Sequence, residues 1–133
     1  MKDPSNPVCR TISTLLSRIG DKWTVLVVAT LGDGPRRFNE LRREIPSVSQ
    51  RMLTLTLRNL ERDGLVSRTV TPTIPPRVDY ELTDMGRTLL KPVMALVNWA
   101  NDNQVAIAEA QTRFDDKPEP DQVSIHGVVY QRR

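Results

Sequence analysis

Gly34 to Leu82 reads GPRRFNELRREIPSVSQRMLTLTLRNLERDGLVSRTVTPTIPPRVDYEL. Phe38, Leu41 and Ile45 recur at helical spacing, and Pro46 stops the run. Ser47-Val48-Ser49 forms a turn, and Ser49 is a residue type that caps a helix N-terminus. Leu53, Leu57 and Leu60 line one face of a longer helix, which Gly64 closes. Leu65 to Val70 has the β-branched content of a strand. Pro72, Pro75 and Pro76 set a rigid tip, and Val78, Tyr80 and Leu82 then alternate with Asp79 and Glu81 as in a half-buried strand.

Helix, turn, helix, β-ribbon is the order of a winged helix-turn-helix. The fold class expected is mainly α with a small antiparallel β-ribbon (α+β), flanked by N- and C-terminal helices that serve dimerisation. Such a unit lays one helix in the DNA major groove and a strand loop against the backbone. That points to gene regulation rather than catalysis.

Working outward, Ile12, Leu15, Leu16 and Ile19 predict an amphipathic helix that Gly20 ends. Asp21 is a plausible cap for the next helix, Lys22 to Leu31, which is apolar nearly all round and so belongs at the centre of a domain. Downstream, Thr83 can cap a long apolar-faced helical region that includes Met85, Leu89, Leu90, Val93, Leu96, Val97 and Ala100. Pro92 inside it predicts a kink or break near Leu90–Lys91. The organisation expected is a loose arm over 1–8, a winged domain with its dimerisation helices over 9–114, and an acidic, proline-bearing tail over 115–133. Val123-Ser124-Ile125 in that tail leaves a small strand and disorder both open. No internal repeat is present.

The chain has 133 residues and a formal net charge of +3, with Asp115, Asp116, Glu119 and Asp121 crowded into the tail. The body before them is more basic than the total, as a polyanion partner requires. The most apolar segment, Trp23 to Leu31, is too short to span a bilayer, and the N-terminus lacks a signal-peptide core. The cytoplasm is the compartment expected, with no membrane partner. Cys9 and His126 are the only cysteine and histidine, so no metal-ligand spacing and no cofactor are expected. An enzyme is disfavoured for the same reason: a nucleophilic Cys9 has no evident base.

With the leucines inward, Gln50, Arg51, Thr54 and Arg58 project outward. Gln bonds adenine and Arg bonds guanine in bidentate fashion. Gln50, Arg51 and Thr54 are expected at bases, Arg58 at phosphate, and the helix start at Ser49 also favours a phosphate. Arg68 and Arg77 flank a tip without acidic residues, suited to phosphate or minor-groove contact. Arg36 and Arg37 lie where they can touch the backbone. Arg42 and Arg43 are expected in salt bridges to Glu40 or Glu44.

The chain resembles the HxlR-type bacterial winged-helix regulators. The resemblance is carried by Cys9, Gly20-Asp21-Lys22-Trp23, Gly34-Pro35-Arg36-Arg37-Phe38-Asn39-Glu40-Leu41, Ser49-Gln50-Arg51-Met52-Leu53-Thr54 and Asp63-Gly64-Leu65-Val66. It continues through Pro75-Pro76-Arg77-Val78 and Tyr80-Glu81-Leu82-Thr83, and covers about Cys9 to Ala100. It implies a homodimer acting on a pseudo-palindromic double-stranded operator. Ile12, Leu16, Val93, Val97, Trp99 and Ala100 are the interface candidates. A repressor is expected, because a short chain leaves little room for an activation domain.

Cys9 sits just ahead of the first helix expected, beside Arg10. A thiol in that setting is more reactive, and some regulators of this type sense oxidants or electrophiles through an N-terminal cysteine. An oxidant or small-molecule effector is therefore an expected partner, against the alternative of an inert packed cysteine. The rival reading from another class is a protein-interaction module that uses the winged fold without specific DNA binding.

Overall fold

Asp21 opens the central helix of the fold. Its carboxylate accepts hydrogen bonds from the backbone N–H groups of Trp23 (3.1 Å) and Thr24 (3.3 Å), which satisfies two donors a helix start otherwise leaves unpaired. The computed structural model describes residues 7–117, 124–125 and 128–129. In chain order these form α1 (Pro7–Ile19), α2 (Lys22–Leu31), β1 (Arg36–Arg37), α3 (Phe38–Glu44), α4 (Gln50–Arg62), β2 (Val66–Thr71), β3 (Arg77–Leu82), α5 (Asp84–Asp116), β4 (Ser124–Ile125) and β5 (Val128–Val129). By compactness the chain divides inside α5, between Leu96 and Val97.

The first unit carries the core. Val27, Val28 and Leu31 of α2 are buried with Leu41 of α3, Leu53, Leu57 and Leu60 of α4, Val66 of β2 and Leu82 of β3. Each such aliphatic side chain contributes about 1.5–3 kcal/mol on leaving water. The all-round apolar character of α2 is explained by this position. Ile45 and Val48, on either side of Pro46, are buried too, so the turn between α3 and α4 is pinned from below.

The sheet order is β1-β3-β2, antiparallel throughout. Val66 pairs with Leu82, and Thr71 with Arg77, so the ribbon is in register along its full length. Strand β1 was not expected. Its two residues carry no hydrophobic alternation, and only the pairing of Arg36 with Tyr80 and Arg37 with Asp79 makes them a strand.

Gly64 ends α4 with φ +77°, a conformation side chains with a Cβ resist. There the Leu65 N–H donates to the Leu60 carbonyl (2.9 Å) and the Gly64 N–H to that of Glu61 (3.0 Å), a Schellman closure. Thr83 then ties α5 to this corner. Its hydroxyl donates to the Gly64 carbonyl (2.6 Å) and accepts from the Gly86 N–H (3.0 Å), while its own N–H donates to the Leu65 carbonyl (3.0 Å).

Two expectations need correction, and one is narrowed. α1 begins at Pro7, inside the segment expected to be a loose arm, because proline is well suited to the first position of a helix. Of the kink or break expected near Leu90–Lys91, the break does not occur: α5 runs through Pro92 as one helix. Proline there removes one hydrogen bond, and burial of the adjacent Val93 holds the helix against that loss. Val93 itself, expected at a dimer interface, is buried within its own chain and leaves the interface set.

The second unit holds α5 from Val97 onward and the short β4–β5 pair. Ser124 and Ile125 are strand, within the tail whose state the sequence left open. Val123 and His126 lie outside the described residues.

Candidate nucleic-acid interface

Ser49 starts α4 as its sequence type indicates, its hydroxyl accepting from the Met52 N–H at 3.0 Å. Leu53, Thr56, Leu57 and Leu60 face the core, which turns the opposite side of α4 outward. Gln50, Arg51, Thr54 and Arg58 are all exposed there. The Thr54 hydroxyl donates to the Gln50 carbonyl (2.8 Å), leaving its lone pairs and methyl group for an outside partner.

Gln50, Thr54, Arg58 and Glu61 form one wall of a cleft of about 540 Å³; Phe38, Arg68 and Tyr80 complete it. The structure therefore brings four of the expected residues, Gln50, Thr54, Arg58 and Arg68, to one concave surface between α4 and the ribbon. Arg51 is exposed on α4 outside that cleft. Phe38, Tyr80 and Glu61 were not among the site residues expected from the sequence. Tyr80 reaches the cleft through its register opposite Arg68, which no local signal encodes.

The arginines outside the cleft differ from expectation. Arg36 is held inside the fold: its Nε donates to Glu44 at 2.8 Å, and its Nη1 to the carbonyls of Gly34 (3.1 Å) and Pro35 (3.0 Å). The hydrogen-bonded Glu44 carboxylate raises the Arg36 pKa above the ordinary arginine value. With Nε and Nη1 engaged in this way, Arg36 is held by the fold, which weakens the case for it as a phosphate ligand. Glu40 accepts from the Arg37 backbone N–H at 2.8 Å and so helps cap α3. Both carboxylates expected to neutralise Arg42 and Arg43 are thus engaged elsewhere. Among the described residues Arg42 and Arg43 are exposed and make no salt bridge. The spacing of Glu40, three residues after Arg37, was the readable sign of half of this, since it is the capping-box separation.

Arg77 is paired along its own strand, its Nε donating to both carboxylate oxygens of Asp79 at 3.3 and 3.0 Å. It lines a second groove with Thr73, Ile74, Pro75 and Pro76 on one side and Arg37 of β1 with Glu40 and Arg43 of α3 on the other. A further pair, Arg18 with Asp63 at 2.6 Å, links α1 to the C-terminal end of α4. Both partners are partly exposed, so it contributes no more than about 1 kcal/mol. It went unnoticed in the sequence because 45 residues separate the partners.

A capped, outward-facing polar helix beside a two-stranded ribbon fits the shape of a nucleic-acid reader, and comparison with known proteins supplies the lineage. The model of the HxlR-like helix-turn-helix family matches residues 18–107. The chain belongs to that family. It is similar to YdeP of Bacillus subtilis, an uncharacterized HTH-type transcriptional regulator, at 42% identity over 108 residues, spanning 80% of this chain and 84% of the relative. Among solved structures it resembles the putative transcriptional regulator ytfH from Salmonella typhimurium, with a TM-score of 0.74 and 33% identity over 83% of this chain and 95% of that one. It also resembles the redox regulator HypR in its oxidized form, with a TM-score of 0.66 and 46% identity over 70% of this chain and 96% of that one. The chain is thus a helix-turn-helix transcriptional regulator of HxlR type, and this is not a family of enzymes. Among the described residues no helix is long and apolar enough to cross a membrane, and no cluster of metal-ligating side chains forms.

Cys9 lies in the first turn of α1, not ahead of it, and is half-buried. The α1 face remains open: Leu15 and Leu16 are 45% and 56% exposed, and Ile12 is half-buried. On α5, Trp99 is 57% exposed, Val97 is half-buried and Ala100 is exposed.

Proposed function

We propose that this regulator binds a pseudo-palindromic duplex operator sequence-specifically, as a homodimer, and represses transcription from it. The observation that carries the reading is the cleft in which Gln50, Thr54 and Arg58 of α4 face Arg68 of the ribbon. Its helix wall offers base-reading side chains, and its ribbon wall offers a cation for the phosphates. Arg51, exposed on the same helix, joins the base-reading set, and the capped helix start at Ser49 favours a nearby phosphate.

The dimer is supported by apolar surface that a monomer leaves in water. Leu15 and Leu16 on α1 and Leu96 and Trp99 on α5 are each about half exposed or more. Two copies related by a two-fold axis would cover such faces and present two recognition helices about 34 Å apart, one turn of DNA. Control by oxidant or electrophile at Cys9 is supported by the likeness to HypR, a redox regulator. It also draws on the position of the thiol beside the open α1 face. Intersubunit disulfide, mixed disulfide and alkylation are the chemical routes open to one cysteine per chain.

The test is a binding titration of the purified chain against duplex DNA, its own upstream region included, across a range of salt and with reduced and oxidant-treated protein. Tight binding that weakens steeply with salt is expected. Binding without sequence preference and indifferent to salt would favour a protein-interaction module instead. Oxidant should release DNA from the parent and not from Cys9→Ser; equal release from both would remove Cys9 from control.

A further inference from the structure

We propose that the wing tip enters the DNA minor groove with an apolar side chain, Ile74, and that Ile74 rather than Arg77 is its reading group. The inference rests on the DNA-binding reading above. Ile74 is 102% exposed, the highest value among the described large apolar residues. The other large apolar residues that are exposed lie on helices or on strand β2, where a partner copy or the fold itself has a use for them. Ile74 alone of that group stands in a loop, at the outermost point of the ribbon between Thr71 and Arg77.

The loop is built to hold it there. Pro72, Pro75 and Pro76 restrict the backbone around it. The Thr73 N–H donates to the Thr71 carbonyl (2.8 Å), and the Thr73 hydroxyl donates to the Pro75 carbonyl (2.8 Å). A side chain presented on a restricted loop loses little conformational entropy when it docks.

Charge identifies the partner. From Thr71 to Pro76 the tip carries no charged residue. Arg77 is compensated by Asp79 through two contacts to one carboxylate. Two exposed cations without a salt bridge among the described residues, Arg37 of β1 and Arg43 of α3, face the tip across its groove; Glu40 lies between them, its carboxylate taken up by the Arg37 backbone N–H. A polyanion backbone is therefore drawn to the α3 side of the groove, while the tip offers hydrocarbon. Against DNA, hydrocarbon finds its surface on the sugars and on a partly opened base step, as do the isoleucine, leucine and proline wedges of minor-groove proteins. A wedge of this kind favours flexible pyrimidine–purine steps and bends the duplex.

The experiment begins with selection of a bound site from a random-sequence duplex pool by the full wild-type chain. Affinity, its salt dependence and the end-to-end energy transfer of the labelled duplex are then compared for wild type, Ile74→Ala, Ile74→Ser and Arg77→Ala. Full exposure of Ile74 means its variants should melt like the parent. Wild type should bend the site by about 20–90°. Both Ile74 variants should bend it less and bind about tenfold more weakly, with the salt slope unchanged because no phosphate contact is lost. They should also lose preference at the base step beneath the wing. Ile74 variants that bind and bend like wild type overturn the inference, and so does an Arg77→Ala variant that alone lowers the salt slope and the bend. A wild-type chain that selects no site overturns the DNA-binding reading itself, an outcome distinct from either of those.

Discussion

Replacing Gly86 by alanine should destabilise this protein, although alanine is the better helix former. Gly86 is the third residue of α5 and is buried. A Cβ built on it falls 2.0 Å from the Leu65 carbonyl oxygen, 3.0 Å from the Leu65 carbonyl carbon and 3.3 Å from Leu82 Cδ2. The obstacle is backbone, not the end of a mobile side chain, so the first turn of α5 must retreat by about 1 Å. The Leu65 oxygen also accepts the Thr83 N–H, at 3.0 Å, and the retreat strains that bond. Overpacking of this kind costs about 1–3 kcal/mol, and a weakened hydrogen bond adds up to about 1 kcal/mol. Helix propensity returns at most about 1 kcal/mol. The net expectation is a loss of about 2 kcal/mol, or a fall in Tm on the order of 6–8 °C for a domain of this size. Thermal melts followed by circular dichroism, at one fixed protein concentration because the proposed dimer would make Tm depend on it, would measure the change. Arg87→Ala, at the exposed next position, should shift stability by no more than about 0.5 kcal/mol. A Gly86→Ala protein as stable as the parent, or more so, would refute the reasoning and return the position to simple propensity.

Arg51→Ala and Arg58→Ala should each weaken DNA binding, Arg58→Ala also reducing the log–log salt slope by about 1 if it meets a phosphate. Arg36→Ala should leave that slope unchanged, because the Arg36 guanidinium is already held by Glu44 and two carbonyls; fluorescence anisotropy across a salt series separates the two behaviours. Asp21→Ala removes the cap that receives two N–H groups at the start of α2 and should cost about 1 kcal/mol, read from urea unfolding. Trp99→Ala should lower the apparent mass in light scattering at micromolar concentration, and a mass equal to that of the parent would take Trp99 out of the dimer interface.

The helices of the winged unit were legible because their signals are local. Leucines at 53, 57 and 60, the caps Asp21 and Ser49, and the stop at Pro46 each act within a turn or two of chain. The outward set Gln50, Arg51, Thr54 and Arg58 followed from the same periodicity, and the structure exposes all four. The role of each arginine beyond α4 was not legible. Whether Arg36, Arg42, Arg43 or Arg77 has a free guanidinium depends on which carboxylate lies beside it. Those carboxylates are placed by the α3 cap, by the approach of Arg36 to Glu44 across α3, and by the pitch of β3.

By itself, then, the sequence determined the order of the main elements, helix α4 and its exposed face, because 3.6-residue and two-residue periodicities are properties of a short segment. Tertiary structure alone decided which parts of those faces are spent. Along α5 one apolar stripe runs from Met85 to Ala100, yet Val93 is 4% exposed and Leu96, three residues on, is 54% exposed. Nothing in the local pattern separates them. Val93 is buried within its own chain, and β1 exists only through its pairing with β3. Burial and charge pairing are settled between segments that meet only once the chain has folded, and no local window of sequence contains both partners.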